Sequence, residues 1–140
     1  MITVSCFSKK DLIAVTLMKD GVLLNKSVSK ITDSEKLSSN YLVLIECFAT
    51  ALRNLRKHLE ENKSDDEISF EFNNSTFIKW VKNGYSKINY QQDFEKVYNT
   101  LQSIPLRYTL VMNTKPYASN FCKEQYLDKK VRLSGLEGLD

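Results

Sequence analysis

The side chains able to do chemistry are few in this sequence, and most of them stand alone. His58 is the single histidine, so spacing offers neither a histidine metal cluster nor a Ser-His-Asp triad. It falls late in a helical stretch beside Arg56, Lys57 and Glu60, where an imidazole complements the helix dipole. Cys6, Cys47 and Cys122 form no CxxC and have no histidine at ligand spacing. They read as buried free thiols of a reducing compartment, not as metal ligands. No GxxxxGK[ST] or GxGxxG cradles a phosphate. One stretch mixes aromatics with cations: Phe77-Ile78-Lys79-Trp80-Val81-Lys82-Asn83-Gly84-Tyr85-Ser86-Lys87. Lys79, Lys82 and Lys87 suit phosphate contacts, and Tyr85 suits stacking on a base. The plainer reading is an amphipathic helix with Phe77, Trp80 and Val81 in the core and a solvated lysine face.

The elements that must position these groups follow from hydrophobic period. Ile2 to Phe7 is a short β-prone run, broken by the turn Ser8-Lys9-Lys10-Asp11. Leu12 to Met18 alternates at period two, and Lys19-Asp20-Gly21 supplies a hairpin turn before a third run, Val22 to Val28. Next, Tyr41, Leu44, Ile45, Phe48, Ala51, Leu52, Leu55 and Leu59 recur at helical spacing behind cap candidates Thr32 to Ser34 and Ser38 to Ser39. Ile68 to Phe72 alternates as a strand, and Asn73-Asn74-Ser75 caps a second helix that Asn83-Gly84 stops. A helix over Asp93 to Ile104, a strand over Leu106 to Met112 and a last helix from Tyr117 to about Lys129 complete the order βββαβααβα. Residues 130–140 read as a tail that is either unstructured or a short docking peptide.

That order resembles the ribonuclease H-like fold: a mixed five-stranded sheet, its first three strands antiparallel, with flanking helices. The resemblance covers residues 1–129 as one domain. Local echoes carry it further. Ser39-Asn40 with Ala51-Leu52 is similar to the family's first helix, Asn74-Ser75 stands where the family has Asp-Ser, and Asn120 with Glu124 matches the spacing of its C-terminal Asn-x-x-Ala-Asp.

The resemblance implies four acids holding two Mg²⁺ or Mn²⁺ ions, which align the attacking water and stabilise the leaving oxygen. This sequence departs from that pattern. Its first strand has no carboxylate, with Cys6 or Phe7 at the relevant place. Leu44 takes the helix position; Glu46 lies two residues on, about 200° around the helix. Asn74 is neutral, and only Glu124 keeps an acid. The expectation is a catalytically degenerate domain without metal or cofactor, which binds a protein complex or nucleic acid. Asn74, Lys79, Lys82, Tyr85 and Lys87 would supply the nucleic-acid contacts.

Two alternatives stand beside it. One is a metal-dependent nuclease with a rearranged site using Glu46, Glu124 and Asp11; the other is a structural or inhibitory protein-interaction module. The net charge of +3 permits nucleic-acid binding without requiring it. The first residues lack a secretory leader pattern, and no apolar run approaches a membrane span. A cytoplasmic accessory protein of a virus, phage or mobile element fits the size and the resemblance.

Overall fold

Period two governs the start of the chain. In β1 (Ile2–Lys9), Ile2, Val4 and Cys6 point to one side and are fully buried. β1 pairs antiparallel with β2 (Leu12–Lys19), and β2 with β3 (Val22–Lys30). The second hairpin turns through Asp20 (φ 51°) and Gly21 (φ 81°), the left-handed geometry that two-residue hairpins require. Its pairing shifts between Leu17 and Met18, so β3 carries a bulge at the exposed edge of the sheet.

The 22-residue helix α1 (Asn40–Glu61) then crosses the sheet, and β4 (Ile68–Phe72) returns parallel to β1. Helices α2 (Ser75–Asn83) and α3 (Gln91–Gln102) precede β5 (Tyr108–Met112), parallel to β4. The strand order is β3-β2-β1-β4-β5, as the resemblance implies. The computed structural model describes residues 1–122, of which 119–122 begin a further helical turn. Glu124, most of the expected last helix and residues 130–140 lie outside the described residues.

The core lies between α1 and one face of the sheet. Phe48 of α1 meets Phe70, Phe72 and Phe77 edge-on, with ring centroids 5.4, 5.1 and 5.8 Å apart, the arrangement aromatic quadrupoles favour. Phe77, Ile78, Trp80 and Val81 bury one face of α2, so the plainer reading of the basic-aromatic stretch holds for those four. Gly84 ends α2 in the left-handed region (φ 82°). A Cβ there would sit 3.0 Å from the Tyr98 ring, which would have to yield by a few tenths of an ångström, so glycine is favoured on both counts.

The opposite face is polar near its middle. Glu71 accepts hydrogen bonds from Ser5 Oγ (3.0 Å), Asn113 Nδ2 (3.1 Å) and the Tyr117 amide (3.0 Å). Ser5 Oγ in turn accepts from the Ala118 amide (3.0 Å). This clasp lays the segment after β5 across the sheet, where Ala118 and Cys122 pack on Ala14.

Several expected boundaries move. β1 runs on to Lys9 because its ladder with β2 extends to Lys9–Leu12, which leaves Lys10 and Asp11 as the turn. Of the two expected starts of α1 the second holds: Ser39 Oγ caps the helix at Asn40 by accepting from the Tyr41 amide, whereas Asp33 caps only a local turn at Glu35. α3 begins at Gln91, after a 3-10 turn at Ile88–Tyr90. β5 begins at Tyr108, where pairing with Ile68 starts.

Candidate functional site

The ends of β1 and β4 lie side by side. Their parallel ladder runs from Ile2–Ile68 to Ser5–Glu71. Three residues further on, Ser8 and Asn74 face the same space at the carboxyl ends of the strands, where ligands of open α/β sheets bind. Ser8, Lys9, Lys10, Asn40, Val43, Leu44, Asn73 and Asn74 line a cleft of about 290 Å³ there. The resemblance implies acids on the first strand, the first helix and the end of the fourth strand, and Ser8, Leu44 and Asn74 take those places. The first-strand position is therefore Ser8. Cys6, expected there, is fully buried in the core, and Phe7 packs on the opposite side against Ala14.

This lining does not fit Mg²⁺ or Mn²⁺, hard ions that take oxygen ligands with carboxylates among them. Among the described residues it offers one hydroxyl, three carboxamides, two ammonium groups and no carboxylate. Asn74 Oδ1 is already used, accepting from the Phe77 amide at 2.9 Å as the cap of α2. Leu44 is 2% exposed, so its side chain forms an apolar floor. Among the described residues no three of His, Cys, Asp and Glu gather as metal ligands do.

Glu46 sits elsewhere. It lines a second, larger groove of about 590 Å³ between β3 and α1, with Lys26, Lys30, Lys36, Asp33 and Arg53. Its carboxylate is braced by Lys36 Nζ at 3.0 Å and Arg53 Nη2 at 3.6 Å. Asp11 pairs with Lys30 at 3.3 Å. The acids proposed for a rearranged nuclease site are thus not brought together among the described residues. Lys79, Lys82, Tyr85 and Lys87 are all exposed, on α2 and the loop after it, and none lines the cleft that Asn74 lines.

The cysteines are buried and free. Burial, then the neighbouring Cys47 thiol, pushes the Cys6 thiol well above its ordinary value. Burial likewise raises Cys122 to about 11. Such thiols stay protonated and are poor nucleophiles.

Sequence reasoning passed over Ser8, Lys9, Lys10, Asn40 and Asn73. The signal for Ser8 was period two, which extends Val4 and Cys6 to the next residue on the same face. Lys9 and Lys10 read as ordinary turn charges, because nothing local shows that the turn borders a cleft.

No protein-family model and no curated protein sequence matches this chain. Solved structures do match. A ribonuclease H1, LC11, in complex with an RNA/DNA hybrid superposes with a TM-score of 0.65 at 16% identity, over 84% of this chain and 89% of that one. LC11 ribonuclease H1 isolated from compost by a metagenomic approach gives 0.63 at 16% identity, over 93% and 96%. Ribonuclease H1 of the halophilic archaeon Halobacterium salinarum gives 0.58 at 12% identity, over 81% and 87%. The fold is therefore ribonuclease H-like.

Proposed function

We infer that this chain is a ribonuclease H-like domain that binds nucleic acid without cutting it. The observation that carries the reading is the cleft at the ends of β1 and β4. Among the described residues it is lined by Lys9, Lys10, Ser8 and three asparagines and by no carboxylate. A cleft of that composition attracts phosphate oxygens and repels divalent cations. Lys79, Lys82 and Lys87 add exposed cations along the neighbouring helix and loop, and Tyr85 adds an exposed ring. Such a domain needs no metal or cofactor, and an accessory role in the cytoplasm suits it. That no described helix is long and apolar enough to cross a membrane accords with this.

The test is direct. Labelled RNA–DNA hybrid, duplex DNA and single strands are incubated with the protein in Mn²⁺ and in EDTA, and cleavage and gel shift are scored together. The expected result is a shift that survives EDTA, weakens with salt in proportion to the phosphates neutralised, and brings no cleavage. Metal-dependent cutting would overturn the reading.

A protein partner is the second reading, and one observation favours it. Ile88 is 93% exposed and Tyr85 62% exposed on the same loop. Bare apolar side chains of this kind mark protein contacts when they form a patch. Ile88→Asp is expected to leave nucleic-acid binding intact and to abolish co-purification of such a partner.

A further inference from the structure

We propose that the cleft at the ends of β1 and β4 holds one phosphate group directly, with lysine ammonium and amide donors standing where the resemblance implies metal ions. The proposal rests on the nucleic-acid reading only for the source of the phosphate, since a free phosphate ester presents the same oxygens.

The donors are independent of one another and converge on one space of about 290 Å³. Lys10 borders the cleft from the turn, and Lys9 borders it from the strand position that alternates with Ser8. The ion pairs formed among the described residues leave both lysines out. Ser8 supplies a hydroxyl. Asn74 has committed its Oδ1 to the Phe77 amide, so its NH₂ end, a pure donor, is left for a ligand. Asn40 opens α1 and Asn74 caps α2, so the positive ends of two helices add to a field the lysines already set. A divalent cation entering here would meet like charge and, among the described residues, no compensating carboxylate.

Lys10 adds a different kind of observation. Its φ is 56°, in the left-handed region, where glycine is cheaper and lysine is disfavoured. That geometry belongs to the two-residue turn between β1 and β2, as it does at Asp20 in the next hairpin. It gives the test its control, because glycine at position 10 relieves the backbone while removing the charge.

The experiment is titration of the whole chain with inorganic phosphate in EDTA at low salt, followed by amide NMR shifts. A short single-stranded oligonucleotide and an RNA–DNA hybrid are titrated in parallel. Phosphate is expected to move the amides of Ser8, Lys10, Asn40 and Asn74 together. Lys10→Gly is expected to weaken that binding about tenfold or more, as loss of a charged donor does, with no fall in unfolding temperature. Asn74→Asp, which keeps the α2 cap, is expected to weaken it as much.

Shifts scattered over surface lysines, unchanged affinity in Lys10→Gly, or binding that appears only with Mg²⁺ would each overturn the proposal. Oligonucleotide binding that leaves the cleft amides unmoved overturns the phosphate site while the nucleic-acid reading stands. Phosphate bound in the cleft with no oligonucleotide bound supports the site and removes the nucleic-acid reading.

Discussion

The two hollows beside α1 differ in charge logic. The groove against β3 contains a carboxylate, Glu46, and surrounds it with Lys36 and Arg53. Among the described residues, the cleft at the ends of β1 and β4 has two lysines and no carboxylate. In the first, Lys36 and Arg53 brace Glu46 and Lys30 pairs with Asp11, so cations and carboxylates are interleaved. In the second, charge is left over and points to an anion. A count of acids along the chain would favour the wrong hollow. What decides the chemistry is which carboxylates the sheet brings within reach of one another, and among the described residues it brings none to the strand ends.

The sharpest way to break this contrast is to put a carboxylate where the resemblance implies one. Leu44 is 2% exposed on the floor of the cleft. Leu44→Glu puts a carboxyl on the apolar floor, where burial opposes its charge and the lysines at the rim favour it, and is expected to cost about 1–3 kcal/mol in urea denaturation at pH 7. The sign with pH follows from burial. A buried carboxyl has a raised pKa in the folded state, so the loss is full at neutral pH and shrinks as pH falls toward its unfolded value near ~4.3. Stability regained on adding Mn²⁺ would show that the cleft accepts a metal ligand after all and would dissolve the contrast.

Glu71 sharpens the contrast from the other face of the sheet. This carboxylate does structural work, gathering Ser5, Asn113 and the Tyr117 amide. Glu71→Ala strips three donors of their acceptor and is expected to cost about 2 kcal/mol, with the added loss of amide protection at Tyr117 and Ala118 in hydrogen exchange. Unchanged protection there would mean that the clasp does not hold the segment after β5.

Much of the fold was legible because it rests on period and punctuation. The α1 stripe from Tyr41 to Leu59, the Asp20-Gly21 hairpin, the strict alternation of Ile68 to Phe72 and the Asn74 to Gly84 frame of α2 each needed only local chemistry. The boundaries that slipped were set by partners distant in sequence. β1 reaches Lys9 because β2 pairs with it, and β5 waits for Tyr108 because Ile68 does. The site was legible in one residue, Asn74, which carried both a cap signal and a family echo. Lys9, Lys10 and Asn40 stayed hidden because a turn lysine and a first-turn asparagine look ordinary until three distant segments close around them. Glu46 was separable from the cleft already in the sequence, because two helical residues turn it about 200° away from Leu44.

The smallest expected effect falls on Glu46 itself, and it discriminates most finely between the readings. Glu46 is 26% exposed on its side chain, and its partners Lys36 and Arg53 are 44% and 68% exposed. Partly solvated pairs of this kind contribute little, so Glu46→Gln is expected to change stability by less than about 1 kcal/mol. Its effect on a polyanion should be the opposite of damage. Removing the carboxylate frees Lys36 and Arg53, which tightens binding slightly and steepens its dependence on salt. If the larger groove is instead part of a metal-dependent nuclease, the same substitution removes a metal ligand and any Mn²⁺-dependent cleavage disappears with it. Binding measured at two salt concentrations, beside a cleavage assay on the same samples, separates a braced surface carboxylate from a catalytic one without any change in fold.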